Sequence, residues 1–383
     1  MAPHTPPGGS ARPGGAGARL EAQPRGSTRL DFLDGFRGVA LVFMVVNHTA
    51  RWWVDGHMTW PRYHIIWITL TVAAPTFLFL VGFCLPLAVR GGESLGTLLR
   101  KFGPRGARIV AAGLLVNVLV LRDEPWYAGG VLQTIGLAIV AMAPALWLLR
   151  YRWAPAALLA VAVAGYAAFT LAFPRLDAFV GRHPLLGLVL FYDFPPWPWL
   201  SLVLMGLVLG WSWLNTYRRS PEAGARWLMA LTAVGVALLV AFVVYDWWAA
   251  TPVRFGLSRD FLLDRHRTPR GASLFWIFGI LFVGLGATYW VMEARRLRLR
   301  WLVVLGQTAL FLYFIHQVIV FTIVNQALGW RFNLWPGFWL ANTVLMVALV
   351  GLGWAWREVR PRLRGSLPWR RPVMPAAPSG SAS

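Results

Sequence analysis

The sequence predicts an all-α, polytopic integral-membrane bundle of about ten transmembrane helices with both termini in the cytoplasm. Its apolar residues form long continuous blocks, and only 13% of its residues are charged, against roughly a quarter in a soluble protein. A block of about 20 apolar residues spans the bilayer core as a helix. Only helices and closed barrels satisfy every backbone group in lipid, and blocks without alternating polarity exclude barrel strands.

Ten such blocks follow one another between two basic, Pro-rich tails. The tails, residues 1–29 and 357–383, cannot bury enough apolar surface to fold, so both are predicted to be disordered. Residues 30–356 are predicted to form one membrane domain, in which the short third block needs flanking residues to cross the bilayer. The blocks span residues 33–53, 64–89, 109–121, 128–149, 155–173, 198–214, 227–248, 273–292, 302–326 and 335–356.

The orientation of these blocks follows from the basic residues between them. With the N-terminal tail in the cytoplasm, 24 of the 36 Lys and Arg residues fall inside and 11 outside, and Arg37 begins the first helix. This split predicts cytoplasmic termini. It also indicates that the net charge of +21 serves to orient the helices and to contact anionic lipid headgroups, rather than to bind nucleic acid. The outer loop 249–271 is an exception, because its arginines indicate either a function or a wrong helix count.

Three further features of the composition bear on class and location. Cys84 is the one cysteine, which excludes an internal disulfide and a cysteine-based metal site, and no metal cofactor is predicted. The arginine-rich, lysine-poor composition indicates a bacterial source and therefore the bacterial cytoplasmic membrane. Gly206 and Gly210 form a small-xxx-small pair, which predicts a close helix contact.

The first block holds polar residues that are costly in a membrane unless they are paired or functional. Asp34 and Arg37 are three residues apart and can pair on one helix face. Arg37 and His48 return to the same face, separated by roughly 16 Å along the axis. One face would then present a cation near the cytoplasm and an imidazole near the outer surface. The alternative is that Asp34 and Arg37 anchor the helix at the interface and His48 reaches outward.

Other candidate residues lie downstream. His316, with Gln317 beside it, falls in the middle of the ninth block, where a helix–helix hydrogen bond is the alternative to a functional role. Arg105 and Arg108 belong to a basic segment that can bind phosphates or simply signal topology. His57 lies in the loop after the first block, where a histidine is ordinarily solvated.

The opening segment, residues 31–48, resembles the transmembrane acyltransferase superfamily. Its Asp-Gly-x-Arg-Gly sequence and the Arg-x10-His spacing from Arg37 to His48 are similar to acyltransferase-3 members. Residues 51–60, which include His57, resemble the His-x-x-Trp segment of the heparan-alpha-glucosaminide N-acetyltransferase branch. Further family-like segments follow in order, one of which contains Gln133 and another His316, so the chain is nearest the bacterial members of that branch. These segments are residues 74–82, 130–136, 194–199 and 306–316.

The resemblance implies a membrane acyltransferase that moves an acyl group, expected to be acetyl, from cytoplasmic acyl-CoA to a sugar or glycan at the outer face. A histidine would act as general base or would carry the acyl group covalently. The acyltransferase-3 spacing favours His48, and the heparan-branch match favours His57. Arg37, Arg105 and Arg108 are the candidates for holding the coenzyme A phosphates.

Two other function classes fit the same residues. A solute transporter or lipid flippase could use His48 and His316 as a proton relay without covalent chemistry. A non-catalytic membrane scaffold has less need of the polar helix positions. The sequence leaves the acceptor, the acyl chain and the formation of a homodimer open.

Overall fold

A computed structural model describes residues 30–55, 72–89, 91–122, 124–191, 194–248 and 272–365. Within these ranges the chain is almost entirely helical, as the sequence predicts, with one isolated bridge between Val54 and Phe332. The helices are α1 Asp31–Trp53, α2 Ala73–Cys84, α3 Leu95–Leu119, α4 Val131–Leu148, α5 Ala154–Arg182, α6 Pro184–Leu190, α7 Pro196–Arg219, α8 Pro221–Trp248, α9 Ala272–Tyr289, α10 Arg300–Gln307, α11 Ala309–Gln317 and α12 Trp335–Gly365. A 3-10 turn, Leu85–Ala88, extends α2, and π-helical segments, Trp290–Ala294 and Val318–Ala327, extend α9 and α11.

Seven helical segments in the described residues are long and apolar enough to cross a membrane, so the protein is a multi-pass membrane protein. These segments are Val131–Leu148, Ala154–Ala172, Pro196–Arg219, Pro221–Val244, Leu274–Ala294, Ala309–Ala327 and Trp335–Arg362. The three remaining predicted spans correspond to α1, α2 and α3. Charged residues lower the hydropathy of α1 and α3, and α2 has only 12 residues. The ten-helix count and the cytoplasmic termini stay predictions.

Every predicted block coincides with a helix where the structure describes it, although α5 continues to Arg182 and α12 to Gly365, beyond their blocks. Two further differences concern residues singled out in the sequence. Helix α3 begins at Leu95 rather than near residue 109, because the Ser94 side chain caps it by accepting a hydrogen bond from the Thr97 amide at 3.3 Å. The basic segment with Arg105 and Arg108 is therefore helical rather than a loop. The ninth block is interrupted at Thr308, whose backbone is not helical (φ −107°, ψ 12°). It continues as α11 and the π-helical segment Val318–Ala327.

Several helix pairs in the described residues approach so closely that only glycine fits between them. In the α1–α10 pair, a Cβ on Gly38 would overlap the backbone carbonyl of Leu302, and one on Gly306 would overlap that of Asp34. In the α2–α7 pair, Gly206 and Gly210 lie directly against the α2 backbone. This confirms the predicted small-residue contact, and close backbone approach of this kind is how membrane helices associate.

Helix α1 is the central helix of the candidate site. Acidic residues in its first turn and Arg51 in its last turn complement the helix dipole. It packs against α2, α9, α10, α11 and α12. Near its C-terminal end, the Thr49 hydroxyl donates to Asn342 Oδ1 of α12 at 2.7 Å, and the Phe332 amide donates to the Trp53 carbonyl at 2.7 Å. The orientation of α1 is thus fixed by backbone and side-chain contacts together.

Successive helices at the start of the chain run in opposite directions. The last turn of α1, the first turn of α2, the residues just after α3 and the first turn of α4 line one common cavity, through Trp52, Ala73, Leu121 and Val131. The four segments therefore alternate in direction. This alternation agrees with the arginine split derived above.

We expect a reporter fused after Ser383 to be cytoplasmic and a tag inserted at His183, between α5 and α6, to be external. The physical reason is the retention of arginine-rich segments on the inner side. Accessibility of engineered cysteines to an impermeant thiol reagent in intact cells measures both positions. An external C-terminus would require an odd number of spans and would contradict the ten-helix prediction.

We expect Gly38→Ala to destabilise the protein by about 1–3 kcal/mol, the usual cost of overpacking, because the new methyl group meets a backbone carbonyl that no rotamer change can move. Gly351→Ala in α12 is the matched control, since a Cβ at Gly351 meets open space. The melting temperature of the detergent-solubilised protein measures the difference. Equal melting temperatures for the two variants would contradict the tight α1–α10 contact.

Candidate functional site

Two histidines that the sequence identified separately meet in the structure. His48 is on α1 and His316 on α11, 268 residues apart. His48 Nδ1 lies 2.9 Å from His316 Nε2, and the two ring planes are nearly parallel, at 11°, with their centroids 5.2 Å apart. His316 Nδ1 donates to the Leu312 carbonyl at 2.9 Å. The amide nitrogen of Gln317 lies 3.3 Å from His48 Nδ1, so three of the predicted polar residues form one cluster.

This cluster borders a cavity of about 160 Å³. His48 and Gln317 line it, whereas His316 is fully buried behind them. The π-helical segment Val318–Ala327 begins directly after Gln317, and π-helical turns are frequent at functional sites. Trp52, Phe321 and Tyr313 contribute aromatic walls. The cavity thus combines a titratable group, an amide and aromatic surfaces, as small-ligand sites do.

Gln133 also lines this cavity. Its amide donates to the Ala128 carbonyl at 3.3 Å, and Asn117 of α3 donates to the same oxygen at 2.8 Å. Gly130 is the N-cap residue of α4, and a Cβ at Gly113 would overlap the Gln133 side chain. The predicted residue Gln133 is therefore held by neighbours that leave no room for larger side chains.

A second polar cluster lies at the other end of α1. Arg37 donates to the Asp34 carboxylate at 2.7 Å, which realises the pairing expected from their spacing. Gln307 of α10 donates to the second carboxylate oxygen at 3.1 Å. Arg37 also contacts the Cys84 sulfur at 3.5 Å. Asp34 is buried, and the two donors supply the hydrogen bonds that a buried carboxylate requires.

Arg105 and Arg108 extend this basic region on the neighbouring helix α3. Arg105 interacts electrostatically with Arg37, Cys84 and Arg108. On α1, His48 lies eleven positions after Arg37, which is about 16 Å along the helix axis. On α3, the cavity-lining residue Val116 lies eleven positions after Arg105, which is the same distance. Both helices therefore connect the basic cluster to the histidine cavity.

His57 and the arginine-rich loop 249–271 lie outside the residues that the structure describes. Sequence reasoning missed Gln307 and Asn117 as contributors to the two clusters. The signal that could have identified them is an amide side chain inside an otherwise apolar block, which is costly unless hydrogen-bonded.

Comparison with known proteins identifies a family for this chain. Residues 29–247 match the family model described as "Heparan-alpha-glucosaminide N-acetyltransferase, catalytic", which is more than half of the chain and includes helices α1 to α7 and nearly all of α8. His316 and Gln317 lie beyond the matched segment. No curated protein gives a significant match to the chain. The chain belongs to the heparan-alpha-glucosaminide N-acetyltransferase catalytic family, a family of membrane acetyltransferases.

Proposed function

We propose that this protein transfers an acetyl group from cytoplasmic acetyl-CoA to an amine or hydroxyl of a sugar or glycan at the outer face of a bacterial cytoplasmic membrane. One observation carries the proposal: a basic cluster and a histidine-lined polar cavity occupy opposite ends of the same helix, α1. Donor and acceptor would approach from the two ends, and the acyl group would cross along α1.

The basic cluster suits the donor because coenzyme A carries several phosphate charges. Arg37, Arg105 and Arg108 present guanidinium groups, which bind phosphate through paired hydrogen bonds. Asp34 holds Arg37 in place from the protein side, and Gln307 in turn holds the Asp34 carboxylate. The arm of the bound coenzyme would then have to extend over roughly 16 Å to bring its thioester to the cavity.

The cavity suits the transfer step. His48 would take the proton from the acceptor N–H or O–H as the acceptor attacks the thioester carbonyl. The new bond to the acyl carbon forms, the C–S bond breaks, and the leaving thiolate then receives the proton from His48. His57 is the alternative base that the family resemblance favours, and a histidine that first carries the acyl group is the alternative route. The aromatic walls formed by Trp52 and Phe321 offer apolar faces to a sugar ring.

The decisive experiment supplies purified, liposome-reconstituted protein with radiolabelled acetyl-CoA and amino-sugar acceptors. The proposal predicts transfer of the label to the acceptor. A transporter or flippase would move its substrate without incorporating label, and that result would overturn the proposed reaction.

We expect Arg37→Ala and Arg105→Ala to weaken acetyl-CoA binding, because loss of a charge-assisted contact costs about 1.5–3 kcal/mol, roughly ten- to hundredfold in affinity. Isothermal titration in detergent measures the dissociation constant. The control is Arg219→Ala, which removes an exposed arginine at the end of α7. If both variants fold and bind acetyl-CoA with unchanged affinity, these arginines serve only to orient the helices in the membrane.

We expect either His48→Ala or His57→Ala to lower the rate of acetyl transfer by about 10²–10⁴, the contribution of a general base, with the other variant affected far less. The spacing and the cavity position favour His48. Single-turnover rates at saturating donor measure this step, and thermal stability verifies that each variant is folded. Near-normal rates in both variants would mean that neither histidine is the base.

A further inference from the structure

The two histidines and one backbone carbonyl form a chain of three polar groups that leads away from the cavity. His48 lines the cavity, His316 lies behind it fully buried, and the Leu312 carbonyl lies behind His316. Both links, His48 Nδ1 to His316 Nε2 and His316 Nδ1 to the carbonyl oxygen, are 2.9 Å long. Such an arrangement determines where the hydrogens sit.

The carbonyl oxygen fixes the first hydrogen. A carbonyl can only accept, so His316 Nδ1 must carry the hydrogen of that bond. In neutral His316 the other nitrogen, Nε2, then has a lone pair and accepts. The hydrogen between the rings therefore belongs to His48 Nδ1. Neutral His48 is left with its basic lone pair on Nε2.

Gln317 agrees with this assignment after a half-turn of its terminal amide. As placed, its nitrogen lies 3.3 Å from His48 Nδ1, while its buried Oε1 has no hydrogen-bond partner among the described residues. A half-turn exchanges the two atoms, since they occupy equivalent positions about the amide bond. The oxygen then shares the single His48 Nδ1–H with His316 Nε2, as the longer of two acceptors at 3.3 Å against 2.9 Å, which is compatible with the same tautomer.

The opposite assignment requires a charged His316. If His48 Nδ1 accepted from both neighbours, His316 would carry hydrogens on both nitrogens and hold a positive charge while fully buried. The described charged and titratable groups around the pair are Arg51 and Glu124 on the cavity wall and Tyr313, whose ring meets His316 edge-on. No carboxylate among the described residues is within hydrogen-bond distance of His316, and an uncompensated buried charge is expensive.

We propose that His316 is a positioning residue: through the Leu312 carbonyl it fixes the neutral tautomer of His48 that has Nδ1–H toward His316 and the lone pair on Nε2. The inference rests on the proposed function, in which His48 is the base or the acyl carrier. In both routes the reacting atom is then His48 Nε2. His316 itself touches neither substrate.

The test reads the tautomer directly. In the full-length protein with ¹⁵N-labelled histidine, reconstituted in liposomes, solid-state NMR distinguishes the protonated from the unprotonated ring nitrogen, and His48→Gln assigns the signals among the seven histidines. We expect Nδ1–H for His48, whereas an unconstrained neutral histidine prefers Nε2–H. His316→Leu should release this preference. His316→Gln should retain it, because an amide oxygen can take the place of Nε2 as acceptor.

Kinetics provide the second readout. His316→Leu should lower kcat while leaving KM for acetyl-CoA unchanged, and His316→Gln should recover most of the rate. His183→Gln is the matched control, since it makes the same substitution at an exposed position between α5 and α6. If His316 had a purely structural role, the tautomer of His48 would be the same in His316→Gln and His316→Leu.

The outcomes distinguish a failure of the positioning role of His316 from a failure of the proposed role of His48. An Nε2–H tautomer of His48 in the unmodified protein overturns the inference without any variant and whatever the activity. An unchanged tautomer in His316→Leu overturns it as well. An unchanged rate in His48→Gln overturns instead the role of His48 in the proposed function, because that variant leaves His316 intact.

Discussion

The close backbone contact between α1 and α10 is the constraint on which the rest of the site depends. Gly38 and Gly306 let the two helices meet where any side chain would collide with a backbone carbonyl. Because α11 follows α10 after the break at Thr308, this contact sets how far α11 lies from α1 and which face it presents. The 2.9 Å contact between the ring nitrogens of His48 and His316 requires that distance to be short.

Several polar groups inside the bundle are hydrogen-bonded to side chains of other helices. The Asp34 carboxylate receives donors from α1 and α10, and the Thr49 hydroxyl bonds Asn342 of α12. Each such bond is costly to lose in an apolar surrounding. The same bonds hold both ends of α1 in a fixed orientation. The basic cluster and the histidine cavity are therefore held on one rigid element, and the proposed transfer along α1 depends on that positioning.

Much of this architecture could be predicted from the sequence. All ten apolar blocks correspond to helices, and the pairing of Asp34 with Arg37 follows from helical spacing alone. The start of α3 could not be predicted from hydropathy, because its first half is basic and a capping serine, not an apolar residue, begins it. The break at Thr308 was also invisible, since the apolar composition continues across it.

The sequence by itself determined the class of the protein, because the length and apolarity of a membrane helix are local properties of consecutive residues. It also determined which polar side chains lie within those helices. Only the tertiary structure decided that His48 meets His316 and that Gln307 meets Asp34, pairs that lie 268 and 273 residues apart. The physical reason is that such contacts depend on the rotation and crossing of whole helices, which the packing of small residues between backbones sets.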